Sequence, residues 1–255
     1  IYNVLRKDIE QSIRLGRQYT HWRRQADAVY KASYLIERFP EMDLDRTAAQ
    51  SGAERPVGIQ FVTESEIKKS ILTLLENVEL DDEIRIQMFY LSYRPILKAI
   101  LRASQVVKRP IQILLDPSKD SFNKERDGTP NRQVARYLLK EAEKVGGKLS
   151  IRWYSTHGEQ NHAKIMTITN SVTGKKILTT GSCNWTGSNM AGINMESNIV
   201  ARGSEKITAA FNDYFDLFWT NRDGNEYSLD YSAYDNAAGD WKWITGESPF
   251  FYSTF

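Results

Sequence analysis

The chain has 255 residues, of which 41% are hydrophobic, 11% aromatic and 26% charged, a balance that excludes wholesale disorder and a collagen-like or membrane-spanning composition. Thirty-four Lys and Arg stand against thirty-two Asp and Glu, a net charge of +2 with histidine neutral, so no global basic field marks a nucleic-acid binder and any anion site must be assembled locally. A single cysteine, Cys183, excludes an internal disulfide and a cysteine-based zinc site, and no run nears the roughly 18–20 apolar residues needed to cross a bilayer.

In chain order, residues 2–39 carry apolar side chains at helical spacing, first Leu5, Ile9 and Ile13, then Ala28, Ala32, Leu35 and Ile36, which predicts two helices. Pro40, Gly52, Pro56 and Gly58 among polar residues predict a loop. Residues 1–58 therefore read as a helical arm with a linker, and residues 59–255 as one large domain. Within that domain the pattern alternates. Strands are expected at Gly58–Val62, Glu83–Tyr90, Pro110–Leu115 and Leu149–Tyr154, and helices at Glu64–Glu76, Arg94–Val107 and Gln133–Lys144. Alternation of this kind predicts an α/β fold, a mixed sheet with helices on both faces. Ser118–Arg132, with Lys119, Lys124, Arg126 and Arg132, reads as a charged loop at the carboxyl end of a strand, where ligand loops gather; it suits closure over an anion and equally a solvated surface.

The informative stretch runs from His157 to Glu196. His162–Ile168 alternates, Ile177–Thr180 is a second short strand, and Gly174 lies in the turn between them, which predicts a hairpin. A turn centred near Val172 or Thr173 sets Lys164 opposite Gly181 and His162 opposite Cys183. Residues two apart in a strand share a face, so His162 goes with Lys164 and Ser182 with Asn184. An imidazole, an ammonium, a hydroxyl and a carboxamide then form one patch. It offers a nucleophile near neutral pH, a fixed positive charge and neutral donors, without a carboxylate cluster for a hard metal, and it suits a phosphodiester. No metal or other cofactor is expected.

His162-x-Lys164, followed by Gly181-Ser182-x-Asn184-Trp185-Thr186 and by Asn194-x-Glu196, resembles the active-site half-motif of the phospholipase D superfamily, the HKD phosphodiesterases. Leu115-Asp116-Pro117, Thr156–Gln160 and the segment from Thr245 to Phe255 resemble the second half of bacterial cardiolipin-synthase-like members. The resemblance implies a phospholipase D-like fold and phosphodiester hydrolysis or phosphatidyl transfer through a phosphohistidine, on phospholipid or, as in nuclease members, on nucleic acid. It implies catalytic roles for His162, Lys164, Ser182, Asn184 and Glu196, with Glu196 accepting a hydrogen bond from the far nitrogen of His162. Substrate contacts are expected from Gly181, Trp185, Lys119 and His157, the last of which also reads as a loop imidazole in a turn. The family pattern has an Asp five positions after the Lys, and here that position is Thr169.

Neither His21 nor His157 lies in a second His-x-Lys pattern, so the chain is expected to hold half a site. The other half would come from an identical chain or from a preceding domain, which the start at Ile1 without a methionine favours. On that expectation Phe255 is the natural C-terminus, and a non-catalytic half that completes a partner's site is the alternative. Tyr227, Tyr231, Tyr234, Trp241, Trp243, Phe250, Phe251, Tyr252 and Phe255 suit peripheral membrane contact or packing on a neighbouring domain.

Overall fold

Along Glu83–Met88, Ile84, Ile86 and Met88 alternate with Arg85 and Gln87, so each strand residue is committed to one of two different faces. The computed structural model describes residues 58–118, 120–121, 124–125, 128, 130–192 and 194–234. The expected helical arm before residue 58 and the aromatic residues beyond Tyr234 lie outside the described residues, as do Lys119 and Arg126.

The elements are β1 (Gly58–Thr63), α1 (Glu64–Glu76), β2 (Glu83–Met88), α2 (Arg94–Val106), β3 (Ile111–Leu115), β4 (Asp120–Ser121), β5 (Lys124–Glu125), α3 (Asn131–Val145), β6 (Leu149–Tyr154), β7 (Lys164–Asn170), β8 (Lys175–Gly181), α4 (Gly187–Met190), β9 (Ser197–Arg202), α5 (Glu205–Trp219) and β10 (Ser228–Asp230), with 3-10 turns at Arg222–Gly224 and Tyr231–Tyr234. The main sheet has the order β1-β9-β8-β7-β2-β3-β6-β10. Its β2, β3 and β6 run parallel, joined through α2 and α3, and every other pairing is antiparallel. The α/β class and the mixed sheet agree with expectation. β9 and α5 are additions to the expected elements.

The two faces are unequal. On one, Ile86, Ile113, Ile151, Trp153, Met166 and Ile168 meet the apolar stripes of α1, α2 and α3, among them Ile67, Ile71, Ile96, Ile100 and Leu138. On the other, α5 brings Phe211 and Phe215 onto Leu114 and Leu178. At about 1.5–3 kcal/mol for each large apolar side chain buried, the first face supplies most of the stability.

The strand directions bring one set of ends together: those of β1, β2, β3, β6 and β8 and the beginnings of β7, β9 and β10. At this edge Asn131, the fully buried first residue of α3, ties neighbouring strand ends. Its Nδ2 donates to the carbonyls of Phe89 and Asp116 at 2.5 and 2.7 Å, and its Oδ1 accepts from Leu91 N at 3.0 Å.

Candidate active site

The β7–β8 hairpin has the expected register. Ile165 faces Thr180 and Thr167 faces Leu178, about a turn over residues 171–174. Continued by one step, that pairing brings Lys164 to Gly181, and thus the His162-x-Lys164 segment to Gly181–Asn184. β7 begins only at Lys164, however, so His162 lies ahead of the strand and the two side chains do not share a pleat. His162 is exposed and Lys164 is buried.

The imidazole of His162 rests on Phe89, with ring centroids 4.6 Å apart, and Lys164 Nζ lies 5.1 Å from the same ring. Lys164 Nζ donates to the His162 carbonyl at 2.7 Å, and among the described residues no carboxylate pairs with it. Burial pushes the Lys164 ammonium down to about 8, while Glu196 pulls weakly the other way. Partial burial, and then the Lys164 charge, lower His162 below its ordinary value, which favours the neutral imidazole.

Glu196, just ahead of β9, accepts hydrogen bonds from Ser182 Oγ and from Asn189 Nδ2 on α4. Its own N–H donates to Glu64 Oε1 at 3.0 Å. Glu64 is buried and takes a left-handed φ of 47°, where non-glycine residues are uncommon. The expected hydrogen bond from His162 is not among those that Glu196 accepts from the described residues; its two carboxylate oxygens accept from Ser182 and from Asn189. Ser182 gives its hydroxyl proton to Glu196, and its oxygen accepts from Ser197 N at 3.1 Å. Asn184 is half-buried and its Oδ1 is buried without a hydrogen-bond partner.

Gly181 has a steric reason. A Cβ there would lie 2.1 Å from Ser197 O and 2.2 Å from Asn198 Oδ1, so only glycine lets β8 approach β9 here. Trp185 is corrected from substrate contact to core. It is 1% exposed, and its main chain bonds Tyr90 O, Ser92 N and Tyr93 N, stitching this segment to the end of β2. His157 lies in the loop after β6, beside Glu159, and lines a separate surface pocket with Tyr154, Ser155, Asn225, Glu226 and Tyr227. β2 and β3 stand between its strand and β7, a spacing of roughly 14 Å at about 4.8 Å per strand. Arg132 is fixed by donation to Pro117 O at 2.9 Å and by the Tyr234 ring at 4.1 Å. Thr169 is buried in β7 between Glu83 and Lys176.

Sequence reasoning missed Phe89, Glu64, Asn189 and Asn161, and quoted Asp116 within Leu115-Asp116-Pro117 without a role. An aromatic pair ending the β2 run, Phe89-Tyr90, was the one local signal; the others act across long sequence separations.

A family model described as cardiolipin synthase, PLD-like domain, matches residues 71–219. The fold is similar to that of a phospholipase D family member, Nuc from Salmonella typhimurium, with a TM-score of 0.50 at 17% identity over 69% of this chain and 98% of that one. It is also similar to phosphatidylserine synthase from Haemophilus influenzae Rd KW20, with a TM-score of 0.53 at 13% identity over 85% of this chain and 50% of the synthase. At these identities the likeness is one of fold. No curated protein matches the chain.

Proposed function

The chain belongs to the PLD-like domain family of cardiolipin synthase, whose wider superfamily comprises phosphodiesterases and phosphatidyl transferases, and from that premise we propose that residues 59–255 form one half of a phospholipid phosphodiesterase or phosphatidyltransferase, with residues 1–58 as the connector to the rest. The observation that carries the reading is the exposed His162 placed beside a buried Lys164, both against Phe89, with no carboxylate paired to that lysine among the described residues. An ammonium held this way favours an arriving anion, and an unprotonated imidazole is ready to attack it.

The reaction runs in two steps. A ring nitrogen of His162 attacks phosphorus and forms a P–N bond as the P–O bond to the leaving alcohol breaks. The leaving oxygen takes its proton from an acid in the second half of the site, supplied by a preceding domain or an identical chain. Water or an acceptor alcohol, deprotonated by that same group, then attacks phosphorus and breaks the P–N bond. Lys164 and Asn184 hold the non-bridging oxygens, and Ser182 with Asn189 fixes Glu196 at the rim. The charge needed at phosphorus comes from these side chains, so the proposed chemistry uses no metal.

Turnover of phosphatidylglycerol, phosphatidylcholine, single-stranded DNA and RNA by the complete protein and by its His162→Ala variant tests both parts. Phospholipid turnover that His162→Ala abolishes is expected. Cleavage of DNA alone overturns the substrate, and a His162→Ala variant as fast as the parent overturns the mechanism. Turnover by a demonstrated monomer of residues 1–255 overturns the half-site.

A further inference from the structure

The described residues make no hydrogen bond to the imidazole of His162, so its direction is set by the main chain that carries it and by the face of Phe89. That main chain is held from both sides. Asp116, the residue after β3, is 2% exposed, and each of its carboxylate oxygens accepts a main-chain N–H, Oδ1 from Ser118 at 2.7 Å and Oδ2 from Asn161 at 2.8 Å. Gln87, fully buried on β2, donates from Nε2 to Asn161 Oδ1 at 2.9 Å. On the far side, Phe89 N donates to Ala163 O at 2.8 Å. The residues immediately before and after His162 are thereby fixed to the ends of β2 and β3.

The chemistry of the contact asks for a carboxylate. Two N–H groups point at two oxygens, and an amide of the same shape would turn its own NH2 toward one of them. A buried carboxylate is unfavourable unless it is well bonded, so this one is a feature that a looser loop would not need.

We propose that Asp116 is a positioning residue for His162: acting with Gln87 on Asn161, it fixes the angle at which the imidazole meets a phosphorus atom. The catalytic consequence rests on the proposed role of His162, whereas the positioning itself rests on geometry.

The test uses the 255-residue chain with 15N-labelled histidine. It has three histidines, His21, His157 and His162, and His162→Ala identifies the last. Asp116→Asn is compared with Asp82→Asn, because Asp82 is as buried but accepts from Glu79 N, Asn170 Nδ2 and Lys175 Nζ at the opposite edge of the sheet. In Asp116→Asn the His162 titration midpoint rises by about 0.3 pH units or more as the ring leaves Phe89, while His157 stays put. Asp82→Asn lowers the melting temperature and leaves His162 unmoved. In the complete protein, Asp116→Asn lowers kcat on bis(p-nitrophenyl) phosphate by about tenfold or more, with KM within about threefold. Parental His162 resonances and midpoint in Asp116→Asn, or equal shifts in Asp82→Asn, overturn the proposal. Should Asp116→Asn not fold, Gln87→Leu must move the His162 midpoint and kcat in the same sense, and parental values there overturn it. If His162→Ala retains the parental rate, the catalytic reading fails while the titration still decides the positioning.

Discussion

Lys164 and Lys175 begin the two strands of one hairpin and live under opposite rules. Lys175 Nζ lies 2.8 Å from Asp82 Oδ2 and 3.1 Å from Glu79 Oε2. Burial by itself would lower its pKa, but those hydrogen bonds and charges outweigh burial and raise it. Lys164, buried more deeply, has a carbonyl and an aromatic face instead, and burial lowers it to about 8. One end of the hairpin satisfies its charge for the sake of the fold. The other keeps its charge short of partners, which is destabilising in the resting protein and useful only when an anion arrives.

The largest expected effect breaks the pair by function. Lys164→Ala lowers the rate of phosphodiester turnover by about 10²-fold or more, whereas Lys175→Ala stays within about threefold of the parent and loses melting temperature instead. Rate and melting measurements on both variants check this, and equal rate losses would remove the distinction. Next, the glycines near the two ends separate close packing from turn geometry. Gly181→Ala drives a Cβ into the backbone of β9 and lowers stability by roughly 2–4 kcal/mol. Gly174→Ala, at a φ of 71° in the turn, costs about 1 kcal/mol in denaturant titrations.

The lysines also predict pH slopes of opposite sign. Between about pH 8 and the ordinary lysine value near 10.5, the unfolded chain holds the Lys164 proton and the folded chain does not, so stability rises with pH across that window. Relative to Lys164→Met, the parent gains roughly 2–4 kcal/mol over it. The raised Lys175 contributes stability that is complete below its unfolded value and is lost as pH climbs through its folded one. Melting curves of the parent and both Met variants from pH 7 to 11 measure each slope. The smallest effect is an absence of reaction. Cys183 is fully buried, and burial, aided by Glu196 and Glu64, pushes its thiol up to about 12. A thiol reagent should leave it unlabelled in the native protein and label it on unfolding.

The parts of this site legible in sequence are those written locally. The alternation of Lys164–Asn170 and Lys175–Gly181 about a glycine-containing turn sets the register, and the register carries the lysine to the serine-asparagine segment. β9 is less legible because Ser197-Asn198-Ile199-Val200-Ala201-Arg202 is short and half polar, and its burial comes from having β1 on one side and β8 on the other. α5 does show Phe211 and Phe215 at helical spacing, although it lies beyond the motif that dominates the chain. Trp185 follows the site motif in sequence and yet turns inward, because the strand period ends at Gly181 and tertiary pairing takes over. The partners of Glu196 and the link from Asp116 to Asn161 join positions 7 to 132 residues apart, which no local pattern encodes.

Asn131 gives the domain an unusual freedom. By gripping Phe89, Leu91 and Asp116 it acts as a clasp that closes the excursion between β3 and α3 at its root. Lengthening such an excursion carries only a slowly growing entropic penalty, about 0.6 kcal/mol per doubling. A change of chain length between Ser118 and Pro130 is therefore expected to cost little stability so long as Asn131 keeps its three hydrogen bonds.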